Sequence, residues 1–314
     1  MIKILAIPNY YCSYYLLGLS RISKISYTPV PEFMRWNNFP YLIFEAEGKR
    51  VVIDNDDPIG IRKELLDQVD IYFVTNKLLD HPDYLHPKVK PLFPHYPVKT
   101  PGLYTRIFGL NWITELGSKT ALQQAYTLQR RPAYEDFNPD YQFNPYVFFA
   151  GSIWKKETWA NQMRAEFIRS CKRVDGLGFE GGMLPRTDRN NLGLDDVLSP
   201  RKYSSDEFSV KSAKSLVVFN NPAVLGAMSW RVAECLNRGS FILSLPWKIE
   251  LPKFPIHGEE IHEIQEIDET EAFLKFLLSN PSYHRKISEG GKAYFQNNCR
   301  PQIQAAEILN HPKF

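Results

Sequence analysis

At 314 residues the chain exceeds the size of one ordinary core, so two domains of roughly 150 residues each are expected. An apolar share of 44% with 23% charged residues excludes collagen-like and disordered classes. A formal net charge of +3 is too small to point to nucleic acid, although it tolerates contact with an anionic membrane surface.

Cys12, Cys171, Cys235 and Cys299 are scattered without a CxxC pair. They imply neither a disulfide framework nor a zinc site, and they favour a reducing compartment. The run Ile4 to Ile7 is too short for a signal-peptide core, and no run approaches the roughly 18 apolar residues of a membrane span. The expectation is a cytoplasmic protein, with contact at the inner face of the membrane.

Ile2 to Ile7, ended by Pro8, reads as a strand buried on both faces. A loop over 9–15 and a short helix over 16–23 follow. Tyr41 to Glu45 and Arg50 to Asp54 are β-rich runs joined at Glu47-Gly48-Lys49, a hairpin pattern. A helix over 58–66, with Asp57 as N-cap and Pro58 first, precedes a buried strand at Ile71 to Thr75. Residues 82–101 are rich in Pro and His, with Val89 to Phe93 as their strand, and a helix over 118–129 closes the half. Strands alternating with helices predict an α/β sheet. Residues 130–145 hold three prolines and no periodic pattern, and read as a linker.

The second half opens on a strand at Tyr146 to Ala150, ending in Gly151-Ser152. A helix over 157–173 follows, with Trp159, Met163, Phe167, Cys171 and Val174 at helical spacing. A strand near Val174 to Phe179 runs into a loop over 180–200, and the glycines of DGLGFEGG read as a flexible turn. A helix over 205–212, a strand at Leu216 to Phe219 and a helix over 227–238 come next, with Gly239 placed as a C-cap. A strand at Phe241 to Leu245 and helices over 271–279, 283–297 and 302–309 complete the chain.

The chemistry centres on residues 215–255. In an open parallel sheet, ligands bind at the carboxyl ends of strands. A helix start offers unpaired N–H groups to phosphate. Gly226 permits close backbone approach, Ser229 adds a hydroxyl, Arg231 suits phosphate, and Glu234 on the same face suits a ribose diol. The competing account of Arg231 and Glu234 is an i,i+3 surface ion pair.

Residues 212–255, SAKSLVVFNNPAVLGAMSWRVAECLNRGSFILSLPWKIELPKFP, resemble the nucleotide-sugar-binding half of GT-B glycosyltransferases, in the exostosin-like group. The resemblance rests on Ser212, Lys214, Gly226, Ser229, Arg231, Glu234, Gly239 and Leu251-Pro252 with Phe254. YVFFAGSIWKK, from Tyr146 to Lys156, is similar to the strand and glycine loop that open this half, and the helix carrying Arg164 fits the same pattern. The strand after Gly239 departs from the family, reading Ser240-Phe241-Ile242-Leu243 where Cys-x-Pro-Val is usual.

The resemblance implies an α/β, GT-B fold of two Rossmann-like domains with an interdomain cleft. Residues 1–135 would bind the acceptor and 145–295 the nucleotide sugar, with a helix in 296–314 returning to the first domain. It implies a metal-independent transferase for cell-surface polysaccharide or lipopolysaccharide. The donor would be a nucleoside diphosphate sugar and the acceptor a glycan or lipid-linked glycan, with no cofactor. Gly151, Lys155, Lys156, Gly226, Ser229, Arg231 and Glu234 form the expected donor site, and His81, His95 and Asp54 are candidate bases. Two alternatives stand. Asp54-Asn55-Asp56 has the Asp-x-Asp layout of metal-dependent GT-A enzymes, against a strand end running into a turn. The chain would otherwise be a catalytically silent glycan- or nucleotide-binding subunit.

Overall fold

The computed structural model describes residues 1–139 and 141–312. It divides into two compact units. Unit 1 comprises Met1–Glu135, Ile249–Lys253 and the chain from Asn297 on, and unit 2 comprises Asp136–Lys248 and Phe254–Gln296.

Unit 1 is built on six strands: β1 (Ile2–Ile4), β2 (Ile25–Tyr27), β3 (Tyr41–Ala46), β4 (Lys49–Asp54), β5 (Ile71–Val74) and β6 (Val89–Pro91). Their spatial order is β2-β1-β3-β4-β5-β6. The expected hairpin is β3–β4, closed by Glu47 and Gly48 at φ 50° and 78°, the left-handed pair that a tight hairpin turn requires. Strand β3 runs antiparallel to both neighbours, while the other pairings are parallel, so the sheet is mixed.

Alternation along β3 feeds two cores. Leu42 and Phe44 pack with α1 (Ser13–Ile22), while Tyr41 and Ile43 pack with α2 (Pro31–Met34) and α3 (Lys63–Leu66). Helices α4 (Pro101–Phe108), α5 (Asn111–Leu116) and α6 (Ser118–Gln129) cover the α1 side. The helix expected over 58–66 shortens to α3. Gly60 takes φ 91° and its N–H donates to the Tyr84 hydroxyl at 3.1 Å, which stops a helix from running through. The segment at Ile249–Lys253 joins unit 1 through a bridge of Ile249 to Leu78 and an ion pair of Lys77 with Glu250.

Unit 2 carries β7 (Tyr146–Ser152), α7 (Thr158–Arg173), β8 (Gly178–Leu184), α8 (Ser205–Lys214), β9 (Val218–Asn220), α9 (Arg231–Asn237), β10 (Ile242–Ser244), β11 (His262–Glu263), α10 (Glu269–Leu278) and α11 (Pro281–Tyr294). Its strand pairings are parallel. The Leu216 N–H donates to the Tyr146 carbonyl at 2.6 Å, joining the approach to β9 onto β7, so the strands lie in the order β8, β7, β9, β10, β11. The chain steps from β7 out to β8 and back past β7 to β9, which makes the gap between β7 and β9 a topological switch point. The last helix, α12 (Pro301–Leu309), packs on α1 in unit 1, where Tyr14 donates to the Cys299 carbonyl at 2.6 Å.

Two expectations in unit 2 are corrected. Of the DGLGFEGG glycines, Gly176 stands in a turn, while Gly178, Gly181 and Gly182 form part of strand β8. A Cβ on Gly181 would stand 1.9 Å from the Phe149 carbonyl oxygen of β7, and one on Gly182 would stand 2.6 Å from the Val197 oxygen. The missing side chains let backbone meet backbone on both sides of β8. Helix α9 starts at Arg231, four residues later than expected, because Ala227 is extended, at φ −54° and ψ 152°, after the left-handed Leu225 and Gly226. Its end matches the cap reading: Ser240 N–H donates to the Cys235 carbonyl and Gly239 N–H to that of Leu236, both at 3.0 Å.

Candidate functional site

The switch point in unit 2 is formed by the loop after β7, residues 153–157, and the loop after β9, residues 221–230. Between them lies Arg164 of α7, which is 7% exposed. Its Nε donates to Asn221 Oδ1 at 3.2 Å and its Nη1 to the Ser152 carbonyl at 3.1 Å. The guanidinium carbon lies 3.6 Å from the centre of the Trp154 ring. These partners are all uncharged. Burial draws the Arg164 pKa down to about 10, opposed by the charge of Glu157, so the group remains a cation at neutral pH. Among the described residues it forms no salt bridge, and its Nη2 has no hydrogen-bond acceptor. A buried cation without a direct ion pair, helped only by the more distant charge of Glu157, is costly, and it fits a site where a ligand brings further negative charge.

The surrounding loops are fixed from within. Asn161 accepts from Trp154 N–H at 3.0 Å and donates to the Trp154 carbonyl at 2.7 Å, which clamps the first loop onto α7. Glu157 accepts the Leu225 N–H at 3.1 Å and so ties the first loop to the second. That bond helps hold Leu225 at φ 53°, a left-handed conformation that disfavours a branched side chain.

The structure gathers part of the expected donor site here. Gly151 lies in β7, where an added Cβ would meet the Phe149 ring at 3.2 Å and Arg164 Nη1 at 3.9 Å. Lys155 and Lys156 are exposed on the turn before α7. Asp188 is held below its ordinary range first by its hydrogen bond with Arg186, and the Lys155 charge adds to this, so Lys155 acts on the loop after β8.

The other expected donor residues are engaged elsewhere. Ser229 accepts the Arg231 N–H at 3.3 Å. The Arg231 guanidinium sits 3.7 Å from the Phe208 ring centre on α8, and its Nη1 is 3.3 Å from Glu234 Oε2. Glu234 is buried, with Oε1 accepting from Ser209 Oγ at 2.8 Å and lying 3.7 Å from Arg238 Nε. Its carboxylate is closed in by this chain's own groups. Glu234, expected as a ribose anchor, stands here as an internal ion-pair hub, and Gly226 stands in a short turn five residues ahead of α9.

The candidate bases in unit 1 are similarly occupied. His81 caps a one-turn helix at 82–85, its Nδ1 accepting the Asp83 N–H at 3.3 Å. His95 is buried against the Tyr14 and Tyr15 rings, and burial alone pulls its pKa down to about 3. It is a neutral core histidine with no open side toward a substrate. Asp54 is buried at the end of β4. Its Oδ2 accepts from the Tyr72 hydroxyl at 2.6 Å and its Oδ1 from the Asp56 N–H at 2.9 Å. The oxygens of Asp56 are taken by the Asp57 N–H at 3.0 Å, the Tyr41 hydroxyl at 3.2 Å and Arg62 at 3.5 Å. Each of the four carboxylate oxygens of the Asp-x-Asp motif therefore has a donor from the chain, which favours the account of a strand end running into a turn.

Arg164 is not among the residues expected to hold the donor. Its signal was present in the helical period, because Ala160, Arg164, Phe167, Ile168 and Cys171 form the buried face of α7. Trp159, the first residue of the face expected from helical spacing, is 43% exposed.

No family model matches the sequence, and no curated protein matches it. Solved structures do resemble it in chain course. S. aureus TarM is 8% identical over 81% of this chain, with a TM-score of 0.46, and this chain spans only 47% of TarM. S. aureus MnaA, solved with UDP, is 12% identical with a TM-score of 0.48, covering 100% of this chain and 96% of its own. Anabaena HepE, solved in complex with UDP-glucose, is 10% identical with a TM-score of 0.40, covering 98% of this chain and 99% of its own. These scores lie below 0.5, so function is argued from this chain's own residues.

Proposed function

We propose that unit 2 binds the diphosphate of a nucleoside diphosphate sugar at its switch point, and that the chain is a metal-independent glycosyltransferase of the GT-B type. The observation that carries the reading is Arg164, a buried cation with only neutral partners at the carboxyl edge of a parallel sheet. The sequence resemblance over 212–255 and the glycine at 151 support the same placement.

In this mechanism the acceptor hydroxyl oxygen bonds to the anomeric carbon as that carbon's bond to the diphosphate breaks, the hydroxyl proton passes to solvent, and negative charge grows on the leaving oxygens. Arg164 Nη2, with Lys155 and Lys156 at the rim, stabilises that charge in place, as a divalent ion does in metal-dependent transferases. Trp154 and Asn221 hold the guanidinium in position. Unit 1 takes the acceptor, a glycan or lipid-linked glycan of the cell surface. Asp54, His81 and His95 are all engaged within the fold, so the acceptor's proton is assigned to none of them.

The test is Arg164→Met, measured by calorimetry with UDP and GDP and by melting. Affinity for the diphosphates is expected to fall about 100-fold, the worth of a charge-assisted contact, while uridine and guanosine bind as before. Thermal stability is expected to hold or rise, because an unpaired buried cation is removed. Unchanged diphosphate affinity in Arg164→Met sinks the proposal, and so does sugar transfer that EDTA abolishes.

A further inference from the structure

Helix α6 of unit 1 buries Ala121, Gln124 and Leu128. Positions 119, 122, 126 and 130 recur at steps of three and four, so Lys119, Leu122, Tyr126 and Arg130 form one stripe away from that core. Leu122 is 70% exposed and Tyr126 is 63% exposed. Arg130 Nη1 donates to the Tyr126 hydroxyl at 3.3 Å, and the guanidinium lies 5.4 Å from the ring centre. At the α4–α5 corner of the same segment, Leu110 is 79% exposed and Ile113 is 50% exposed. Leu122 and Tyr126 thus stand outward between the cations Lys119 and Arg130, the residue pattern of an interfacial helix face.

The charge around it is one-sided. Residues 101–131 contain Arg106, Lys119, Arg130 and Arg131 against the single acid Glu115. That balance, 4 − 1 = +3, equals the excess of the whole chain, 38 − 35 = +3. Glu115 is itself engaged, accepting from Tyr27 and, at 2.9 Å, from Asn37. Among the described residues, Arg106, Lys119 and Arg130 make no salt bridge.

We propose that the α4–α6 segment docks unit 1 on an anionic lipid bilayer. Leu122 and Tyr126 enter the interface, where leucine and tyrosine are favoured, and Lys119, Arg130 and Arg106 meet lipid phosphates. A surface of uniform negative sign complements this segment. A second copy of the chain does not, since a two-fold contact through the stripe would set Lys119 and Arg130 against the same cations.

Sedimentation of the full chain with phosphatidylcholine vesicles, with and without about 30 mol% phosphatidylglycerol, tests the proposal. The protein is expected to bind only the anionic vesicles. Each cation near such a surface is worth about fivefold, so Lys119→Gln with Arg130→Gln lowers partitioning about 25-fold. Leu122→Ser with Tyr126→Ser lowers it by about tenfold, and all variants keep the wild-type melting temperature and diphosphate affinity. Equal binding to neutral and anionic vesicles, no binding to either, or wild-type binding by either double variant overturns the proposal. A dimer in light scattering that Leu122→Ser with Tyr126→Ser dissolves also overturns it, by making a second copy the occupant.

Discussion

The carboxyl edge of β4 and β5 in unit 1 and the switch point of β7 and β9 in unit 2 both gather charged and aromatic groups, yet they use them differently. Around Asp54, every carboxylate oxygen has a donor from the chain, and Arg62 donates to Tyr41 at 2.7 Å while facing Asp56. The cluster is complete without a visitor. Around Arg164, the partners are two oxygens without formal charge and an indole face, and one guanidinium nitrogen is unused. A polar cluster closed on itself reads as structure, and one left short of an opposite charge reads as a binding site.

The largest expected effect breaks the second edge outright. Gly181→Ala places a Cβ against the Phe149 carbonyl at φ 108° and is expected to cost roughly 4 kcal/mol or more, enough to open the β7–β8 pair. Hydrogen exchange should show lost protection in peptides of unit 2 with unit 1 unchanged. Gly176→Ala, at φ 78° with nothing within 4 Å of the new Cβ, is the control and is expected to cost about 1 kcal/mol. If both variants exchange like the wild type, the close approach of β8 to β7 does not seat the edge that presents Arg164.

A smaller effect probes the first edge through pH. Burial raises the Asp54 pKa from 3.8 to about 7, against the lowering pull of the Tyr72 hydrogen bond. The folded chain therefore holds a proton that the unfolded chain releases between these values. Stability from Asp54 is full below about pH 4 and is lost as pH rises through about 7, by an amount on the order of a few kcal/mol. Asp54→Asn should flatten that slope in denaturant titrations at pH 4.5 and 7.5. A slope unchanged by the substitution contradicts a closed, proton-holding cluster.

The elements with strong periodic signals were legible in the sequence. The β3–β4 hairpin, β5, α6, α7 and the glycine end of α9 stand within a residue or two of their expected places. What failed were positions where tertiary contact overrides local preference. The glycines of β8 look like a turn because only β7 and the 197–199 backbone, packed against them, explain why side chains are absent. Asp54 and Asp56 look like a metal motif because Tyr41, Tyr72 and Arg62, which contact them, lie 15, 18 and 6 residues from their partner aspartate in sequence. Arg164 was visible as a charge but not as a buried one, since that depends on phasing α7 correctly.

The smallest effect sharpens the contrast between buried and exposed charge within the donor site. Lys155 and Lys156 are exposed on the turn before α7, so their pull on a diphosphate crosses solvent. Replacing both by Gln is expected to weaken UDP or GDP binding about fivefold at low ionic strength. Near about 0.5 M salt, where screening acts within a few ångströms, that difference should vanish. The Arg164→Met deficit should persist at the same salt, because a buried guanidinium in direct contact with phosphate is screened far less. If salt erases both deficits alike, Arg164 meets its anion through water as the lysines do, and the distinction between the closed and open edges loses its energetic basis.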